Sequence, residues 1–151
     1  MKIGFIGLGI MGAPMAGHLL AAGHTMFVNT RSRVPEALAA ATACATAAAV
    51  TQQAEVVFLM LPDTPDVEKV LFGQNGVAPA LKPGQVVVDM SSISPIATQD
   101  FARRVAALGA DWLDAPVSGG EVGAKAASLT IMCGGKDEVF DALDKDVASD
   151  V

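Results

Sequence analysis

Short apolar runs of strand length alternate along the chain with segments of helical spacing. Residues 2–6, 25–28, 56–61, 86–90, 112–115 and 129–133 read as strands, and 11–22, 34–41, 66–71, 77–81, 95–108 and 136–143 as helices. The strands show little polar alternation, the pattern of strands buried on both faces, which belongs to parallel sheets covered by helices. Strand and helix alternating in this way predict an α/β fold: an open, doubly wound, mostly parallel sheet with helices on both faces and right-handed crossovers. Gly23, Gly84 and Gly109 each stand where a helix or loop hands over to the next strand, as helix-ending glycines do. The alanine- and threonine-rich stretch 37–50 has weak periodicity and is expected to form one or two surface helices. No fixed-period repeat and no Pro/Gly/Ser-rich linker interrupts the series, so residues 1–151 are read as one domain, with 144–151 an atypical tail.

Directly after the first predicted strand, Gly7-Leu8-Gly9-Ile10-Met11-Gly12 fits GxGxxG and opens the first predicted helix. Each glycine has a task there. Gly7 makes the tight turn, Gly9 lets the backbone approach a pyrophosphate, and Gly12 lets helix pack closely on strand. The helix N-terminus then offers free N–H groups and a positive dipole end to phosphates. At the start of a βαβ unit the motif makes the sheet Rossmann-type and predicts a dinucleotide site. The end of the second strand, which in NAD sites carries an acidic residue for the ribose hydroxyls, holds Asn29, followed by Thr30, Arg31, Ser32 and Arg33. A carboxylate there would repel a 2′-phosphate, whereas these residues can bind one through charge-assisted hydrogen bonds. NADP is therefore favoured as cofactor, with NAD the alternative.

Composition narrows the remaining classes. The chain is 52% hydrophobic and 17% charged over 151 residues, the make-up of one folded domain. Its net charge is −6, although Lys2, Arg31 and Arg33 against Glu36 leave the first fifty residues net positive. Nucleic acid is not an expected partner, because phosphate-backbone binding needs a broad cationic face. Cys44, Cys133, His18 and His24 have no metal-type spacing. No apolar run reaches the ~18 residues of a membrane span, and the chain enters an apolar strand directly after Met1-Lys2, so no secretory leader is expected. A cytoplasmic location and no membrane partner are expected.

Beyond the glycine turn, four stretches together resemble the β-hydroxyacid dehydrogenases, the group that includes 3-hydroxyisobutyrate and 6-phosphogluconate dehydrogenases. They are the opening run from Gly4 through Ala16, Met60-Leu61-Pro62-Asp63, Asp89-Met90-Ser91-Ser92-Ile93-Ser94-Pro95, and Asp114-Ala115-Pro116-Val117-Ser118-Gly119-Gly120-Glu121. Asp-Met-Ser-Ser-Ile with Ser-Gly-Gly-Glu is most similar to the branch that reduces tartronate semialdehyde (2-hydroxy-3-oxopropanoate) to glycerate; the hydroxyisobutyrate branch is the alternative.

The resemblance implies that Leu61 and Pro62 flank the cofactor, that Ser92 lies on its nicotinamide side, and that Ser118, Gly119 and Gly120 hold the carboxylate of a small hydroxy or oxo acid. Two glycines and a hydroxyl after a strand can build such an anion nest, although a tight turn capped by Ser118 has the same residues. Asp89 and Asp114 are read as caps of backbone N–H groups, and Trp112, Met11, Met15, Met60 and Met90 as core, although Met11 sits in the phosphate turn. The resemblance also places the proton-donating lysine on a helix of a C-terminal all-helical domain that this chain does not contain. Lys125 and Lys136 do not match that segment, so no catalytic residue is assigned here. The chain is expected to be a cofactor half that turns over poorly alone, a non-catalytic dinucleotide-binding fragment being the competing expectation. An apolar face without its helical partner makes a homo-oligomer an expected outcome.

Overall fold

The computed structural model describes residues 1–146; residues 147–151, within the tail set apart above, lie outside the described residues. Six strands form one sheet: β1 (Lys2–Ile6), β2 (Thr25–Asn29), β3 (Thr42–Ala43), β4 (Val56–Leu59), β5 (Val86–Asp89) and β6 (Asp111–Asp114). Their spatial order is β3-β2-β1-β4-β5-β6 and every neighbouring pair is parallel. This is the doubly wound order of dinucleotide-binding sheets, and β1, between β2 and β4, marks the point where the order reverses.

The two faces are covered by different helices. On one, Met15, Ala16 and Leu19 of α1 (Gly12–Ala21) pack with Ile3, Phe5, Met26, Val28, Phe58 and Val88. On the other, α2 (Ala47–Gln53), α3 (Thr64–Phe72) and α4 (Pro95–Ala106) bring Val50, Val67, Leu71, Phe101 and Val105 against Ile6, Val57, Leu59, Val87 and Trp112. Gly4 belongs to this second face: a Cβ there would come 2.5 Å from Val50 Cγ1, so the missing side chain lets α2 lie close on β1. Gly23, Gly84 and Gly109 all have positive φ, as handover glycines require.

Several elements differ from the sequence reading. The helix expected over 34–41 is a single 3-10 turn, Glu36–Leu38, because Pro35 biases Val34 towards an extended conformation and the chain must already lie beside β2 at Thr42. Likewise 77–81 forms only the 3-10 turn Ala78–Ala80, ahead of Pro83. The stretch 37–50 is not a run of surface helices: it contributes β3 and the start of α2, whose Ala47, Val50 and Thr51 are buried. Finally, 129–133 is no strand of the main sheet. Thr130–Ile131 (β8) pairs antiparallel with Val117–Ser118 (β7) in a small separate ladder, around α5 (Gly120–Ala126), and α6 (Asp137–Asp146) follows.

Candidate functional site

The carboxyl ends of β1, β2 and β4 open into a cleft of ≈ 670 Å³, within the range of small-molecule and cofactor sites. Its floor is the glycine turn, and Gly7, Leu8, Gly9, Ile10, Met11 and Gly12 all line it. The three glycines are not equivalent. A Cβ on Gly7, at φ +99°, would strike the Met60 carbonyl oxygen, and one on Gly12 would strike the Gly7 carbonyl oxygen, so both are demanded by the protein's own packing. A Cβ on Gly9 would meet nothing within 4 Å, and its φ is not in the left-handed region. Neither packing nor backbone conformation therefore asks for glycine at position 9. What a side chain would fill is cleft, in front of an α1 N-terminus that no side chain caps. That space suits a dinucleotide diphosphate approaching bare backbone N–H groups.

Asn29, Thr30, Arg31 and Ser32 form the wall after β2. Thr30 Oγ1 accepts from Leu8 N–H at 3.4 Å and from Ser32 N–H at 3.4 Å, tying this loop to the glycine turn. Asn29 Nδ2 donates to the Cys44 carbonyl at 2.9 Å, which fixes the strand end against β3. Arg33 does not line the cleft; Arg31 does, with Nη2 3.4 Å from Asp66 Oδ1. Asp66, in the first turn of α3, thus brings into the cleft a carboxylate that the end of β2 lacks.

Leu61 and Pro62 line the opposite wall, and a buried polar network holds them. Leu61 N–H donates to Ser91 Oγ at 2.9 Å, and Ser91 N–H donates to Asp89 Oδ1 at 3.0 Å. Ser91 and Asp89 are both completely buried. Burial pushes the Asp89 carboxyl up to about 6 and the neighbouring Asp114 adds to it, against hydrogen bonds from Ser91. Burial also raises Asp114. Asp89 caps a backbone N–H, as read from the sequence. Trp112, Met15 and Met90 are core, while Met60 and Met11 also line the cleft.

Ser92, Ser118, Gly119 and Gly120 do not line this cleft. Ser92 is exposed just past β5, on the carboxyl side of the sheet. Gly119, which follows β7, and Gly120, the first residue of α5, have positive φ, 131° and 59°, and no side chain caps α5. Ser118, just ahead of them, is exposed. Lys125 pairs with Glu121 at 2.8 Å and Lys136 with Asp111 at 3.4 Å, both outside the cleft.

The cleft also uses residues the sequence reading passed over. Thr46 caps α2 by accepting from Ala49 N–H at 3.0 Å and lines the cleft with Ala45 and Ala47. A threonine ahead of an alanine run is a helix-start signal. Lys69, Val70 and Gln74-Asn75-Gly76 close the far end. Asn75 takes φ +56°, and Asn-Gly is a turn signal visible in the sequence.

A doubly wound sheet with a glycine turn opening onto a cleft at its reversal point defines a dinucleotide-binding domain. Residues 2–148 match the family described as the NAD binding domain of 6-phosphogluconate dehydrogenase, and the chain belongs to that family, whose members are NAD(P)-dependent oxidoreductases. It is 54% identical over 145 residues to 2-hydroxy-3-oxopropionate reductase of Escherichia coli, covering 95% of this chain and 50% of that protein. It is 44% identical to 2-(hydroxymethyl)glutarate dehydrogenase of Eubacterium barkeri, covering 95% and 48% respectively. Among solved structures, Psf3 in complex with NADP+ and 2-OPP superposes with a TM-score of 0.91 at 30% identity, covering 98% of this chain and 54% of that one. The chain spans about half the length of the curated relatives it matches. No helix among the described residues is long and apolar enough to cross a membrane.

Proposed function

We propose that this chain is the cofactor-holding half of an NADP(H)-dependent reductase that converts 2-hydroxy-3-oxopropionate (tartronate semialdehyde) to glycerate. The observation that carries the reading is Gly9, a glycine that the protein's own packing does not need and that leaves open cleft in front of an uncapped helix N-terminus. The bound nicotinamide cofactor would supply the hydride. In this reading the glycine turn grips the diphosphate, while Asn29, Thr30 and Arg31 receive the 2′-phosphate, Arg31 through its planar guanidinium. Leu61 and Pro62, held by Ser91, form the wall beside the cofactor, and Ser92 stands on the nicotinamide side. Ser118, Gly119 and Gly120 hold the substrate carboxylate with a hydroxyl and bare N–H groups. The choice of substrate is supported by the 54% identity to a relative bearing that name, and the choice of NADP by the neighbour solved with NADP+.

Titrating NADPH and NADH, alongside the residual NADPH consumption with 2-hydroxy-3-oxopropionate and with the oxidised partner of 3-hydroxyisobutyrate, tests the proposal. Tighter binding of NADPH, and faster consumption with the first acid, supports the proposal. Tighter binding of NADH, or faster consumption with the second acid, contradicts it.

A further inference from the structure

Arg31 follows β2, and Asp66 belongs to α3, the helix after β4. Because β1 lies between β2 and β4, the Arg31–Asp66 ion pair arches over the carboxyl end of β1, where the glycine turn begins. Both residues line the cleft. The side chains are 77% and 28% exposed, so the pair is weak and easily exchanged for a better partner. A guanidinium binds carboxylate and phosphate through the same planar fork of donors. Arg31 therefore cannot give its full set of hydrogen bonds to an incoming phosphate while Asp66 keeps part of it.

We infer that Asp66 is a specificity-determining residue of the cleft, competing with the 2′-phosphate of a phosphorylated dinucleotide for Arg31 and so restraining the preference for that cofactor. The inference rests on the reading of Arg31 as the phosphate-binding residue given above. A dinucleotide without the 2′-phosphate makes no claim on Arg31 and leaves the pair closed. A phosphorylated one must open it, and the cost falls on that cofactor alone. The start of α3 is capped by Asp63, whose Oδ1 accepts from Thr64 N–H at 2.7 Å, so replacing Asp66 removes the competitor without removing the cap.

The test is calorimetric titration of the full chain with NADPH and, separately, NADH, for the wild type, Asp66→Asn, Arg31→Ala and the double variant, with thermal melting to verify folding. Asp66→Asn is expected to tighten NADPH binding about two- to fivefold, the range of an exposed ion pair, and to leave NADH unchanged. In the Arg31→Ala background the gain should vanish, because nothing remains to compete for. No gain for NADPH, an equal gain for both cofactors, or a gain that persists without Arg31 overturns the inference while the reading of Arg31 stands. Equal weakening of both cofactors by Arg31→Ala, or a wild type that binds neither, overturns that reading and the inference with it.

Discussion

Replacing Asp89 with Asn should make the folded chain more stable at neutral pH and flatten its dependence on pH. Asp89 is fully buried at the end of β5, and of its two carboxylate oxygens Oδ1 accepts from Ser91 N–H while Oδ2 has no partner among the described residues. Burial disfavours the charged form, so the folded-state value rises from 3.8 to about 6. An acid whose value is raised by folding holds more protons in the folded state. Stability is then greatest below the unfolded value and falls as pH climbs through the folded one. At about 1.36 kcal/mol per pH unit, the interval from 3.8 to about 6 amounts to about 3 kcal/mol. Just under half of that loss falls between pH 5 and pH 7.5. Asn keeps an acceptor for Ser91 N–H and never ionises. Urea unfolding of both proteins from pH 3 to pH 7.5 should show the variant gaining on the wild type by about 1 kcal/mol between pH 5 and pH 7.5. A difference that stays constant across the whole range would refute the reasoning.

Other substitutions test the packing that shapes the cleft. Ser91→Ala leaves the Leu61 N–H without its buried acceptor and is expected to cost about 1–3 kcal/mol in urea unfolding; no loss would mean that the wall does not depend on this bond. Gly4→Ala puts a methyl 2.5 Å from Val50 Cγ1 and should cost about 1–3 kcal/mol by overpacking, with Val50→Ala in the same chain recovering part of it. Additive losses in that pair would place the strain elsewhere.

Much of this architecture is legible in the sequence because its physical causes are local. The uniformly apolar runs at residues 3–6, around Val57 and around Val87 read as strands buried on both faces, and GxGxxG after the first of them fixes the turn and the cleft. What escaped depends on partners distant in the chain. Gly4 reads as one more residue of an apolar strand until α2 is seen against it. The Asp66 contact with Arg31 exists only because the sheet sets β2 and β4 on either side of β1. Alanine carries almost no periodic signal, so the stretch 37–50 hid a short strand and the start of a buried helix. The helices expected at 34–41 and 77–81 shrank to single turns because Pro35, Pro79 and Pro83 leave too little chain for an α-helix. Of the site, the motif residues were readable, whereas Lys69, Val70 and Thr46 line the cleft through helix placement alone.

If the backbone at Gly9 grips a dinucleotide diphosphate, Gly9→Ala should weaken NADPH binding without unfolding the chain, as NADPH titration and thermal melting on the same samples will show. A Cβ at position 9 meets no atom within 4 Å, so melting should stay near that of the wild type while NADPH affinity falls by at least about tenfold as the methyl enters the cleft. Unchanged affinity in a folded variant would contradict the account.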